Sequence, residues 1–215
     1  TENLKNEKLI NFRKKKDEML FSILKNHDLL NLLEKSLLKN KFFKLINLRK
    51  NLNFTKNYNL IINTDYSDKI SKKYFNKKIV KKYNSIAYVT ILQHENLIND
   101  VATQIFTKNG PLAFLPISEN KTSIVFSDHG MNKRNDNNIY ELINRYNFKY
   151  KIRKIKKVEF FELNSLSLRS YYNKNILAFG DLIHRIHPLA GQGFNMTIRD
   201  IKTLREIINN KQNLG

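Results

Sequence analysis

The sequence predicts a mixed α/β (α+β) fold, an antiparallel sheet set between a helical N-terminal segment and a C-terminal strand–loop–helix unit. Three observations carry this. Short runs of β-branched and aromatic residues follow one another from Ser85 to Ser165, separated by turn formers. Leucines recur at helical spacing near the N-terminus. Glycine is scarce, yet three of the six glycines and one of the three prolines fall within Gly180–Asn195, between a strand pattern and a helix pattern.

Residues 1–50 read as helical. Leu29, Leu30, Leu33 and Leu37 form a stripe, with Asp28 as the expected N-cap. Met19, Leu20, Ile23 and Leu24 suggest a second stripe upstream. Such stripes are expected in a core. "YNLIINTD" (Tyr58 to Asp65) reads as a buried strand closed by turn formers. "SIAYVTILQHE" (Ser85 to Glu95), "ATQIFT" (Ala102 to Thr107), "LAFLPI" (Leu112 to Ile117) and "TSIVFS" (Thr122 to Ser127) predict an antiparallel meander. Asn109-Gly110-Pro111 and Glu119-Asn120-Lys121 are its turns. Residues 129–139 read as a polar loop, Tyr140 to Tyr146 as a helix, and Lys156 to Ser165 as a strand. "NILAFGD" (Asn175 to Asp181) is a compact strand, and Asn195 to Ile208 is a helix with Met196, Ile198, Ile201 and Leu204 on its apolar side.

Composition limits the function classes. The chain has 39 Lys+Arg against 19 Asp+Glu, a net charge of +20. Lys, Asn and Ile are over-used throughout, which points to compositional drift more than to a nucleic-acid surface, where Arg dominates. The basic run "KYKIRKIKK" (Lys149 to Lys157) reads as a solvated strand face, and no nucleic-acid partner is expected. There is no cysteine, which excludes disulfides, thiolate metal sites and Cys nucleophiles. No apolar run approaches the ~18 residues of a membrane span.

A strand, a glycine loop and a helix in that order place the helix N-terminus at the strand's carboxyl edge. Free N–H groups and the positive end of the helix dipole point outward there. Gly191 and Gly193, flanking Gln192, allow close approach to the backbone. Such a site holds an anion or the electron-rich edge of a heterocycle. Asp181, directly after the strand, is positioned to accept hydrogen bonds from ligand hydroxyls.

The combined motif "GDLIHRIHPLAGQGFNMTIRD" resembles the FAD-dependent aromatic-ring monooxygenases, the p-hydroxybenzoate-hydroxylase-like class, and within it the ubiquinone-biosynthesis hydroxylases. Gly180, Asp181, His184, His187, Pro188, Leu189, Ala190, Gly191, Gln192, Gly193, Asn195, Arg199 and Asp200 match that pattern. Thr103 to Ser127 resembles the substrate-domain strands of the class, and Leu60 to Lys69 falls where its Ala-Asp-Gly motif lies. The resemblance is collinear over about residues 58 to 210.

It implies an incomplete FAD-binding Rossmann-like domain plus an antiparallel substrate domain. Residues 1–70 would be a helical segment and strand of the FAD domain, 71–170 the substrate sheet, and 171–215 the returning strand–loop–helix. It implies FAD as cofactor, with Gly180 and Asp181 at the ribityl chain and Gly191, Gln192 and Gly193 facing the pyrimidine side of the ring. Pro188 would lie against the substrate side, Asn195 would open the helix and help fix the ring, and Asp65 is a weaker candidate. NAD(P)H would reduce the flavin, and O2 would react through a flavin C4a-hydroperoxide to hydroxylate an electron-rich aromatic ring, a polyprenyl phenol in ubiquinone biosynthesis. The implied location is cytoplasmic, with peripheral contact at the inner membrane and with other ubiquinone-biosynthesis proteins. No catalytic side chain is assigned. No metal is expected: His184 and His187 lack a third ligand nearby and are read as shaping the loop. His27, His94 and His129 are read as surface or structural.

Three positions depart from the class. No Gly-x-Gly-x-x-Gly precedes Gly110, so the chain is expected to be a piece of a longer one and to hold FAD weakly by itself. Leu182-Ile183 replace Ala-Ala and are expected to crowd the cofactor. Thr64-Asp65-Tyr66 replaces Ala-Asp-Gly. A non-catalytic paralogue with a scaffold role is the alternative reading.

Overall fold

A computed structural model describes residues 21–46, 57–130, 132–183 and 192–210. The chain forms two compact units, one of residues 1–46 and 84–162, the other of residues 47–83 and 163–215. The mixed α/β character expected from the sequence is present.

The first unit is built on the meander. β2 (Lys78–His94), β3 (Thr103–Thr107), β4 (Gly110–Ser118), β5 (Lys121–Asp128) and β6 (Ile152–Ile155) lie in the order β3-β4-β5-β2-β6, and β7 (Glu159–Leu168) also pairs with β2. Of these strands, residues 78–83 of β2 and 163–168 of β7 belong to the second unit. The β3–β4, β4–β5, β2–β5 and β2–β6 ladders are antiparallel. Alternation drives the burial. Leu112 and Phe114 on β4 register with Phe126 and Ile124 on β5, and all four side chains are fully buried. They pack with Tyr88, Leu92, Ile139, Ile143, Tyr150 and Val158 in one core. The β3–β4 turn is Lys108-Asn109, so Gly110 and Pro111, expected in the turn, already belong to β4. Gly110 has φ +135° and pairs with Thr107.

α3 (Asp136–Tyr146) covers this core with Ile139 and Ile143. It starts four residues before the expected Tyr140, because the Asn135 side chain accepts from Asn138 N–H at 2.9 Å and caps it. His94 is buried and structural, with its ring nitrogens 2.8 Å from the Glu95 carbonyl and 2.9 Å from the Thr122 hydroxyl.

α1 (Asn26–Leu38) corrects two expectations. Asp28 sits inside the first turn, where it favours the helix dipole, and Lys25 is the N-cap with no capping bond from its side chain, which pairs with Asp28 at 3.7 Å instead. The leucine stripe is not core: α1 has no buried residue, and Leu30, Leu33 and Leu37 are exposed. The upstream stripe is not a helix at Ile23 and Leu24; Met19 and Leu20 lie outside the described residues.

The second unit contains β1 (Ile61–Asn63), β8 (Tyr172–Asn173) and β9 (Ile176–Ala178) in the order β1-β9-β8. β1 and β9 are parallel, while β8 and β9 are antiparallel. α2 (Lys69–Tyr74) and α4 (Gln192–Asn210) complete it. Its core joins Ile70, Phe75, Leu166, Leu168, Ile176, Ala178 and Leu182.

Candidate functional site

β1 and β9 run in the same direction, so their carboxyl ends share one edge of the small sheet. Asn63 registers with Ala178, and Phe179 N–H donates to the Asn63 carbonyl at 2.9 Å. Beyond parallel strands of this kind, ligands bind outside the carboxyl ends. Two segments leave that edge, residues 64–68 and 179–183.

After β9 the chain turns at once. Gly180 has φ +60°, in the left-handed region, and opens a short 3-10 turn, Gly180–Leu182. A Cβ there would meet Thr197 Cγ2 at 3.7 Å and Thr64 Cγ2 at 3.8 Å, which is ordinary contact. The backbone angle, not lack of space, calls for glycine. The turn sends neighbouring side chains in opposite directions. Asp181 is exposed, while Leu182 is 2% exposed and fills the second core. Ile183 packs against the same core. The bulk at Leu182, expected to crowd a cofactor, is therefore spent on packing beneath the turn.

α4 packs against this turn. It begins at Gln192, so Gln192, Gly193 and Asn195 form its first turn, and Asn195 lies three residues inside rather than opening the helix. That turn carries no acidic residue. Its leading N–H groups have no intrahelical acceptor and carry the positive end of the dipole. Gln192 and Asn195 are exposed, and Gly193 is half-buried. The expected apolar side of α4 is not buried: Ile198 and Ile201 are about half exposed. Pro188, Gly191, His184 and His187 lie outside the described residues.

The β1 side is held by a hydrogen-bond network that sequence pattern alone does not reveal, since it joins residues six to eight apart across a turn. Buried Asn63 donates to the Ser71 hydroxyl at 2.8 Å and accepts from Asp65 N–H at 3.3 Å. The Ser71 hydroxyl donates to the Asp65 carbonyl. Asp68 caps α2 by accepting from Ser71 N–H at 2.7 Å. Asp65 Oδ1 accepts from both the Ser67 N–H and the Ser67 hydroxyl at 2.7 Å. The Asp65 carboxylate thus closes its own loop. Beside it, a cavity of about 180 Å³ is lined by Tyr66, Ser71, Lys72, Phe75 and Leu182, among others.

The Ser67 hydroxyl, followed by the Ser67 N–H, holds the Asp65 carboxyl below its ordinary value. A lowered folded-state value means that the loop gains from the charge above the unfolded value of about 4 and loses that gain as pH falls through the lowered one. Ser67→Ala is expected to move Asp65 up toward the ordinary carboxylate value. A carboxyl-carbon NMR titration of both proteins checks this, and an unchanged Asp65 midpoint would contradict the bonding described.

The turn after β9 therefore offers an exposed carboxylate beside a helix whose first turn holds Gly193 and no acid. A carboxylate accepts from hydroxyls, and free N–H groups donate to an electron-rich edge. A ligand with a polyhydroxyl chain and a heterocyclic ring suits both.

Comparison with known proteins agrees with this chemistry. A family model described as FAD binding domain matches residues 69–211. The chain is 29% identical over 140 residues to 3-demethoxyubiquinol 3-hydroxylase of Escherichia coli, covering 62% of this chain and 36% of that protein. It is 27% identical over 140 residues to ubiquinone hydroxylase UbiL of Rhodospirillum rubrum, covering 62% and 33%. The resemblance to ubiquinone-biosynthesis hydroxylases is borne out, and the chain spans about a third of the length of these curated relatives. Among solved structures, pqsL, a probable FAD-dependent monooxygenase from Pseudomonas aeruginosa, aligns with a TM-score of 0.53 at 18% identity, covering 70% of this chain and 46% of that one. That likeness concerns the fold.

Proposed function

The chain belongs to the FAD binding domain family, and on that premise we propose that it carries the flavin-ring side of an FAD-dependent aromatic hydroxylase. The observation that carries the reading is the exposed Asp181 on the left-handed Gly180 turn, packed against a helix whose first turn is Gln192-Gly193-Phe194-Asn195. The residues present fit the cofactor. Asp181 accepts from the ribityl hydroxyls. The Gln192 and Gly193 N–H groups donate to the pyrimidine edge, where the helix dipole stabilises negative charge. Asn195, one helical turn in, offers an amide to the same edge. Asp65 shapes the adjoining loop. Pro188 and Gly191 keep the roles that the family motif gives them.

FAD, when bound, supplies the oxygen chemistry, with NAD(P)H as reductant and O2 as co-substrate. The protein's part is to orient the ring and exclude water. The substrate class is an electron-rich phenol, and the names of the relatives favour a polyprenylated one in ubiquinone biosynthesis. In domain terms, residues 71–170 would carry the substrate and residues 171–215 the cofactor. A substrate with a lipid tail brings the protein into peripheral contact with a membrane.

Asp181→Ala tests the carrying observation. A hydrogen bond to a charged group contributes about 1.5–3 kcal/mol, so flavin affinity is expected to fall roughly 10- to 100-fold with the melting temperature unchanged. Flavin-fluorescence titration reads this. Equal affinity in the two proteins would remove Asp181 from the site. One observation favours a second reading, a non-catalytic relative: the Asp65 carboxylate is committed to Ser67. A folded chain that binds no flavin would favour that reading.

A further inference from the structure

We propose that the segment Lys69–Lys82 is a docking surface for an anionic lipid bilayer. Seven of these fourteen residues are lysine: Lys69, Lys72, Lys73, Lys77, Lys78, Lys81 and Lys82. No acidic residue occurs from Lys69 to His94. Every one of the seven is exposed. The run Lys149–Lys157 is denser still, with six cations in nine residues, but there Lys151 and Arg153 pair with Glu95 and Ile152 and Ile155 are half-buried.

Charge alone does not choose a partner, but the apolar residues within it do. Ile79 is 56% exposed and Val80 is 49% exposed, in the middle of the lysines. The first part of β2, Lys78 to Lys82, is exposed at every position rather than alternating. A strand that buries neither face against its own unit presents apolar side chains outward. Exposed Ile and Val within a lysine field match a bilayer interface, where methyl groups enter the acyl boundary and ammonium groups snorkel to phosphates. Tyr74 lies within the segment and Tyr83 directly follows it, with Lys73 and Lys81 near their rings. Tyrosine suits the headgroup level. The segment contains no Arg, the residue that dominates base and phosphate readout in nucleic-acid binding.

The two carboxylates nearest in sequence, Asp65 and Asp68, both lie before Lys69 and accept from Ser67 and Ser71, so within the segment itself the charge is positive only. The backbone of Arg169 donates to the Lys77 carbonyl at 3.0 Å and adds a cationic residue alongside. Among the described residues no helix is long and apolar enough to cross a membrane, so contact here is at the surface. This inference deepens the proposed function and rests on it for the reason a bilayer would be useful, a lipid-tailed substrate. The surface itself is argued from charge and exposure.

Cosedimentation of the flavin-free chain with vesicles tests it. Mixed phosphatidylcholine–phosphatidylglycerol vesicles are expected to bind the chain, and pure phosphatidylcholine vesicles are not. The variant Lys72→Gln, Lys77→Gln, Lys78→Gln, Lys81→Gln should weaken binding at least ~50-fold. The same charge change at Lys149, Lys151, Lys154 and Lys157, outside the proposed surface, should weaken it less than about threefold. Ile79→Ser with Val80→Ser should cost roughly tenfold while leaving the salt dependence in place. Thermal melts establish that each variant is folded. Equal loss in the two lysine variants, or displacement from vesicles by short duplex DNA at lower concentration than by lipid, would overturn the proposal. Flavin titration of the unsubstituted chain separates the claims: a chain that binds flavin but no anionic vesicle sinks only the surface, and one that binds vesicles but no flavin sinks only the flavin reading.

Discussion

Replacing Gly110 with alanine is expected to destabilise the first unit by about 4 kcal/mol or more, roughly 10 °C in melting temperature for a chain of this size. Two independent causes act together. The residue has φ +135°, a conformation that side chains with a Cβ rarely adopt. A Cβ built there falls 1.9 Å from the Ser127 carbonyl oxygen. That oxygen belongs to β5, which is locked into the β4 and β2 ladders and cannot move aside like a flexible side chain. The Thr107 hydroxyl, which donates to the Gly110 carbonyl at 2.7 Å, would lose its partner as the strand shifts. Gly130→Ala is the control. Its Cβ would find the Asp128 carboxylate at 3.6 Å, with no unusual φ. It should change the melting temperature by less than about 2 °C. Similar melts for the two variants would contradict the close approach.

The second large effect concerns Asp128 and Arg134. The Asp128 side chain is 3% exposed, and Arg134 reaches it with two nitrogens, Nε to Oδ2 and a terminal nitrogen to Oδ1 at 3.2 Å. The Arg134 guanidinium also lies over the Phe126 ring, and its backbone N–H donates to the Tyr88 hydroxyl at 2.6 Å. The pair ties the loop after β5 to the core strands. Removing one partner of a buried ion pair leaves a charge that neither water nor protein compensates. Arg134→Met is expected to cost about 3–5 kcal/mol at neutral pH. The double variant Asp128→Asn, Arg134→Met should recover most of that loss, since the stranded carboxylate is gone. Urea denaturation of the two proteins measures the cycle. No recovery in the double variant would place the cost in lost packing instead.

The strands were legible because alternation and turn residues coincide. Leu112, Phe114, Ile124 and Phe126 alternate with less buried neighbours, and the turns Lys108-Asn109 and Glu119-Asn120 punctuate them. Helix starts were less legible. Asn135 looks like one more polar loop residue until its side chain is seen to cap α3, and Lys25 displaces Asp28 as the residue before α1. α2 has only six residues, too few for an apolar period to show. The leucines of α1 carry a helical period, but a period names a face, not what covers it.

At the candidate site, the Gly-Asp after β9 and the Gln-Gly that opens α4 could be read as a motif. The left-handed turn that separates exposed Asp181 from buried Leu182 could not. Nor could the bonds from Asn63 to Ser71 and from Ser67 to Asp65, which come from loop closure rather than from residue type. Leu182 shows the difference most clearly: as a letter in a motif it looks like an obstacle, and in the fold it is part of the core.

The most direct test is a flavin-fluorescence titration of the folded chain with FAD and with flavin mononucleotide, for wild type and Asp181→Ala. The residues assigned here meet the ring and the ribityl chain, and no Gly-x-Gly-x-x-Gly for the adenylate portion occurs in the 215 residues. The account predicts affinities for the two flavins within about threefold of each other and a parallel loss of roughly 10- to 100-fold in the variant. An FAD affinity far above that for the mononucleotide, untouched by the loss of Asp181, would contradict it.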